Sequence, residues 1–269
     1  MTLATTACLL AILTSVACAL CGPFIVANKQ AMVIDGISHA VLPGIAVGFL
    51  FTGDISSPWL LLSAAASGCV IAFLSDWLAR NKILNSDAAL GLIFPTMFSI
   101  GTILISSQLT HANFSVEAVL VGDLNLVALA HPEYCWVLAV TILCLALFIS
   151  LLFPRLTVSS FDYEFSTVAG IHPNILHTTI MIAVAFTSTI AFHVVGAMMV
   201  LSLMVLPYLC ARLLTERISG AVPLTVVIAT LTAPMGFWLA YHFNVATSAA
   251  MSLFNASLFF IIFIAHKKA

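Results

Sequence analysis

Between Asp35 and Gly44 the chain reads DGISHAVLPG, and it places an acid, an imidazole and a proline at Asp35, His39 and Pro43. These recur at i, i+4 and i+8, so a helix carries all three on one face. The residues around them are apolar. Ionisable groups inside an apolar span are costly, and they face a bundle interior or a water-filled cavity, which marks the pair as a candidate functional site. A carboxylate oxygen with an imidazole nitrogen suits a divalent transition metal. The same spacing also serves a hydrogen-bonded pair that only packs helices, and spacing alone leaves both readings open. Two side chains do not complete a metal shell. A two-fold copy of the same helix from a second subunit would supply the remaining ligands.

The elements that must position this face are membrane helices. Hydrophobic residues make up 62% of the 269 residues, charged residues 7%, and the mean hydropathy is +1.20. Those values lie outside the range of soluble domains and imply an all-α, polytopic integral membrane protein, one transmembrane domain over residues 1–269. The formal charge of -2 and the scatter of Lys and Arg give no basic patch for nucleic acid. The 7 cysteines are odd in number and lack zinc-finger spacing, so they read as small packing residues, Cys18 and Cys21 included.

Apolar runs lie near Leu3 to Val26, Met32 to Phe51, Pro58 to Leu78, Asp87 to Ile105, Tyr134 to Phe153, Asn174 to Phe192, Val195 to Ala211, Ala221 to Tyr241 and Val245 to Ile264. Each is near the ~20 residues that cross a bilayer, which gives about nine spans, with eight as the alternative. The first run has no basic leader region and reads as a retained span. From Gln108 to His131 the chain is too polar for a simple span and fits a short interfacial or re-entrant helix. Gly44-x-x-x-Gly48 is a small-xxx-small pattern, expected here to bring symmetry-related helices together. Counting from Lys29 at 1.5 Å per residue puts His39 about 15 Å deep, near the midplane, where alternating access turns about a fixed site.

The signature Asp35, Ser38-His39-Ala40 and Leu42-Pro43-Gly44 resembles the second membrane helix of the zinc/manganese/iron ABC-transporter permease family. The similarity continues through Asp87-Ala-Ala-Leu-Gly91-Leu-Ile-Phe94, Ser99-Ile-Gly101, Leu120-Val-Gly-Asp123, Phe161-Asp162 with Gly170, and Val195-Gly196-Ala197 running to Pro207. The resemblance implies a subunit of a divalent-metal importer in a bacterial inner or plasma membrane, with no permanently bound cofactor. Its implied partners are an ATP-binding subunit, an extracytoplasmic metal-binding protein and a second permease protomer, identical or paralogous. Manganese is favoured by the SHAVLPG form, with zinc or iron next. After Pro207 the chain reads PYLCARLLTERISG, and the resemblance places a coupling helix to the ATPase there, carrying Arg212, Glu216 and Arg217. Tyr208, Leu209 and Cys210 stand where the family usually has small residues.

Other classes lose ground on what the chain lacks. There is no GxxxxGK[ST] phosphate loop, so ATP hydrolysis belongs to another subunit. HExxH and GxSxG are also absent, which argues against an intramembrane hydrolase. An ion-coupled secondary transporter is the remaining alternative, although no inverted repeat is evident. His111, His131, His193 and His242 fall at outer boundaries, and His172, His177 and His266 at inner ones, with no ligand-like spacing.

Lys29, Arg80, Lys82, Arg155, Arg212, Arg217, Lys267 and Lys268 all fall on one side if the spans alternate, and that side is the cytoplasm. The N-terminus is then outside and the C-terminus inside. Reporter fusions at the two ends are expected to give opposite locations; the same location at both ends would require an even span count.

Overall fold

A computed structural model describes residues 3–53, 57, 59–81, 84–108, 124–161 and 163–268. The described chain is all helix: α1 (Leu3–Ala27), α2 (Met32–Thr52), α3 (Trp59–Arg80), α4 (Ser86–Gln108), the short α5 (Leu124–Ala130), α6 (Tyr134–Phe161), the short α7 (Tyr163–Val168), α8 (Pro173–Val195), α9 (Ala197–Leu214), α10 (Ile218–Phe243) and α11 (Thr247–Lys268). Among the described residues, 9 helices are long and apolar enough to cross a membrane, in agreement with the expected spans. The Leu120–Asp123 element, Asp54, Lys82, His111, Glu117 and Asp162 lie outside the described residues. The short helix expected between Gln108 and His131 corresponds to α5, whose Leu124, Val127 and Ala128 are buried.

The helices form two packed groups. In one, α2 lies against α3 and α4; in the other, α1 lies against α9 and α10, with α11 packed outside on α9 and α10. Helix α8 joins them by touching α1, α2 and α3. Lipid tails are as apolar as leucine, so these contacts are held by close packing and hydrogen bonds rather than by expulsion from water. Small residues set the spacing. An added Cβ on Gly22 of α1 would strike the backbone carbonyl of Met204 on α9, and Ser15 of α1 donates to Ala229 O of α10 at 3.1 Å.

Around α2 the fit is also tight. A Cβ on Gly44 would meet Ser67 Oγ and lie 2.6 Å from Ala64 Cα and 2.7 Å from Ser63 O, all on α3. A Cβ on Gly48 would meet Ser63 Oγ and come within 3.3 Å of Leu60 Cα. The Gly44-x-x-x-Gly48 pattern therefore serves a contact inside the chain, not the expected contact between symmetry-related helices. Ser67 Oγ seals it by lying 2.5 Å from the Ala40 carbonyl. On the other side, Gly101 of α4 sits against Pro43, where an added Cβ would be 2.8 Å from both its Cδ and N. Helix α2 continues through Pro43 and ends at Gly53, whose φ of 65° is the left-handed region that glycine adopts without strain.

Because the obstacles at Gly44 include backbone atoms, a larger side chain there cannot be relieved by rotamer change. Gly44→Val is expected to destabilise the purified chain by about 1–3 kcal/mol. At Gly91 of α4 an added Cβ has nothing within 4 Å, so Gly91→Ala should leave the thermal stability of the protomer undiminished or slightly raised. Equal losses at the two positions would contradict the α2–α3 approach as the limiting contact.

Candidate metal-translocation site

Asp35 and His39 lie on one face of α2, as the i, i+4 spacing requires. His39 Nε2 is 3.9 Å from Asp35 Oδ1, beyond hydrogen-bond range, and the side chains are 26% and 46% exposed for His39 and Asp35. The pair is close without being bonded. Between them, Ser38 turns inward and its hydroxyl donates to the Asp35 carbonyl at 2.6 Å.

Helix α4 holds the imidazole. The ring centroid of Phe94 lies 4.8 Å from that of His39 at an interplanar angle of 40°, and that of Phe98 lies 5.5 Å away at 84°. His39 Nδ1 is buried with no hydrogen-bond partner among the described residues. Farther along α2, Pro43 has no N–H to offer the His39 carbonyl, so the helix ladder lacks a bond there. The Phe94/Phe98 pair was missed in the sequence because two more phenylalanines in an apolar run look like ordinary core residues.

Arg212, Glu216 and Arg217 occur together, but not on a separate coupling helix. Ala211 to Leu214 complete α9, Thr215 and Arg217 take extended backbone angles, and α10 begins at Ile218. The Arg212 guanidinium donates to the Glu216 carbonyl at 2.6 Å and lies 3.4 Å from that of Thr215, so it closes the corner. All three charged side chains are exposed. The physical reason for the departure from the expected short helix is that Arg212 holds the Thr215 and Glu216 carbonyls just past the end of α9, and the chain reverses within three residues.

A second polar cluster was not anticipated. His177 of α8 lies with Nε2 at 2.9 Å from Gln30 Oε1 and Nδ1 at 3.4 Å from Asp76 Oδ1 of α3, with His177 and Asp76 only 18% and 14% exposed. It ties the α1–α2 turn to α3 and α8. The available signal was Asp76 itself, an acid inside the span Trp59–Ala79.

Outside the spans, His131 Nδ1 is 2.9 Å from Glu133 Oε1, and that hydrogen bond holds the Glu133 carboxyl below its usual range. Tyr134 then bridges the two histidines, edge-on to His131 at 6.1 Å and stacked on His193 at 4.8 Å. Among the described residues, no three His, Cys, Asp or Glu side chains gather closely enough to hold a metal ion. Among the described residues, Asp35 and His39 thus stand as a pair of candidate ligands and not a complete shell. All 7 cysteines are free thiols; Cys18, Cys21 and Cys210 are buried and fit a packing role, whereas Cys144 is exposed.

Known proteins match this architecture along nearly its whole length. The family model described as the ABC 3 transport family matches residues 1–266. The manganese transport system membrane protein MntD of Bacillus subtilis is 34% identical over 250 residues, covering 90% of this chain and 84% of the relative. The zinc transport system membrane protein TroD of Treponema pallidum is 32% identical over 264 residues, covering 95% and 72%. A probable iron transport system membrane protein of Haemophilus influenzae is 30% identical over 264 residues, covering 97% and 93%. Among solved structures, PsaBC from Streptococcus pneumoniae in complex with Fab superposes with a TM-score of 0.83 at 24% identity, covering 98% of this chain and 91% of that one, and so shares the fold. With a match over residues 1–266 and relatives 30% to 34% identical over most of both chains, this multi-pass protein of the bacterial plasma membrane belongs to the ABC 3 transport family of metal-transporter permeases.

Proposed function

We propose that this chain is the permease subunit of an ABC importer that carries a divalent transition metal into the cytoplasm, with manganese favoured and zinc or iron as close competitors. The observation that carries the reading is the Asp35/His39 pair. Two ligands on one ion with bonds near 2.1 Å are at most roughly 4.2 Å apart, so the 3.9 Å between Nε2 and Oδ1 is within reach of a shared cation but not of a hydrogen bond. An acid left 46% exposed in an apolar span is poorly solvated by one chain. A second protomer, identical or paralogous, would set its own pair opposite and complete the shell on a two-fold axis.

Asp35 supplies charge to a desolvating cation, and His39 supplies a softer nitrogen that suits manganese, zinc and iron alike. Relatives named for manganese, zinc and iron transport support that set of cargoes. The order among them follows from coordination geometry and availability, and manganese leads on the SHAVLPG form of the signature. Energy comes from a separate ATP-binding subunit docked at the cytoplasmic corner between α9 and α10. Arg212 braces that corner, and Glu216 and Arg217 present charge to the partner. An extracytoplasmic metal-binding protein delivers the ion to the opposite face. Family membership favours this ATP-driven class over ion-coupled secondary transport.

The test is metal flux by the full-length permease assembled with its ATPase. Asp35→Asn and His39→Gln keep side-chain size and hydrogen bonding while weakening ligation, and each is expected to cut Mn²⁺ flux by roughly tenfold or more with assembly retained. In the same preparation, Glu216→Lys with Arg217→Glu should lower metal-stimulated ATP hydrolysis without loss of membrane insertion. Parental flux in the Asp35→Asn/His39→Gln double variant would overturn the site, and parental coupling in the corner variant would overturn the docking assignment.

A further inference from the structure

The two nitrogens of His39 have opposite surroundings. Nε2 looks along the exposed face toward Asp35 Oδ1 at 3.9 Å, whereas Nδ1 is buried with no hydrogen-bond partner among the described residues. The ring is packed by Phe94 at 4.8 Å and Phe98 at 5.5 Å between centroids. These two phenylalanines recur at i, i+4 on α4, and the contact of Gly101 with Pro43 brings that face of α4 close to α2. A Leu42, Ala46 and Ile105 cluster, with Phe98 packed on it, continues the apolar seam beyond the histidine.

We infer that Phe94 and Phe98 are positioning residues that select Nε2 as the ligating nitrogen of His39 and keep it a weak ligand. This rests on the reading of Asp35 and His39 as contacts for the travelling ion. A neutral imidazole has one N–H, so giving the Nε2 lone pair to a cation places the proton on Nδ1. In sites that retain a metal, that N–H is donated to a carboxylate, carbonyl or water, which fixes the ring and raises its basicity. Here Nδ1 is buried with no hydrogen-bond partner among the described residues, the ring packs against two phenyl groups, and an aromatic ring offers an N–H at most a weak interaction. The rings fix orientation by packing and withhold the acceptor that would strengthen ligation. A transport site needs that combination, because binding must be favourable enough to admit an ion and weak enough to release it.

The experiment compares Phe94→Gln and Phe98→Gln, which bring an amide acceptor to the ring, with Phe94→Leu and Phe98→Leu, which remove the aromatic face but stay apolar. All are made in the full-length permease assembled with its ATPase. Equilibrium binding and flux are read with Mn²⁺ alone. Pulsed electron paramagnetic resonance with Cu²⁺ alone reads the remote imidazole nitrogen, whose quadrupole coupling responds to its hydrogen bond. At least one Gln variant is expected to bind Mn²⁺ about tenfold tighter, with slower turnover and an altered remote-nitrogen signal, since outer-shell acceptors typically change affinity by 10–100-fold. The Leu variants should bind more weakly than the parent, with that signal unchanged in type. Parental affinity and signal in all four, while Asp35→Asn in the same preparation loses Mn²⁺, would overturn the role of the rings and leave the ion contacts standing. Should the Gln variants fail to assemble, parental affinity in the Phe94→Leu/Phe98→Leu double variant would overturn it equally. Parental Mn²⁺ affinity in Asp35→Asn and His39→Gln would remove the underlying reading itself.

Discussion

In a bilayer, lipid offers a helix the same apolar contact that a neighbouring helix does, so α2 is held in place by the closeness of its approach to α3 and α4. Gly44 and Gly48 bring its backbone onto Ala64, Ser63 and Leu60, and Pro43 rests on Gly101. Those contacts tolerate no added atoms. They fix the rotation of α2 about its own axis, and that rotation decides whether Asp35 and His39 face an open side or a packed one. The same geometry places His39 against Phe94 and Phe98, since α4 cannot lie on Pro43 without carrying its phenyl face past the imidazole. Position of the candidate site and surroundings of Asp35 and His39 are thus one consequence of small residues at a helix crossing.

Polar groups in the rest of the bundle are arranged by the same economy. Serine and threonine hydroxyls mostly return to the carbonyl three or four residues back, as Thr14 does to Leu10 and Thr189 to Ala185, so few polar groups face lipid unsatisfied. Ser15 instead crosses from α1 to α10, and Ser67 of α3 lies between the Ala64 carbonyl of its own helix and the Ala40 carbonyl of α2. The Gln30, His177 and Asp76 cluster performs this role on a larger scale near the start of α2. Through it, the turn that leads into the site helix is tied to α3 and α8, the helix that joins the two packed groups. The corner at Thr215 to Arg217 is joined to α2 through α9, which touches both α8 and α2.

Much of this was legible in the sequence because a membrane imposes simple rules. Span length, apolar composition and the spacing of Asp35 and His39 are one-dimensional properties, and they carried the helix positions and the shared face without knowledge of any contact. What was not legible depends on which helix meets which. Gly44-x-x-x-Gly48 announces a close neighbour but not its identity, and α3 rather than a copy of α2 fills that place. Phe94 and Phe98 become notable only once α4 lies over His39. Asp76 and His177 are separated by most of the chain's central third, so their pairing has no spacing to betray it. At Thr215 to Arg217 the missing information was a side-chain contact: Arg212 reaches forward to the Thr215 and Glu216 carbonyls beyond the end of α9, which a pattern of charged and apolar residues does not reveal.

The central claim is that the travelling ion meets this chain at Asp35 and His39 and reaches the imidazole through Nε2. Anomalous scattering from Mn²⁺ in crystals of the assembled transporter locates the ion directly. A peak is expected at bonding distance, about 2.0–2.2 Å, from an Asp35 carboxylate oxygen and from His39 Nε2, with the imidazole still packed on Phe94 and Phe98. A peak bonded to neither residue, for example one held between His177 and Asp76, would contradict it.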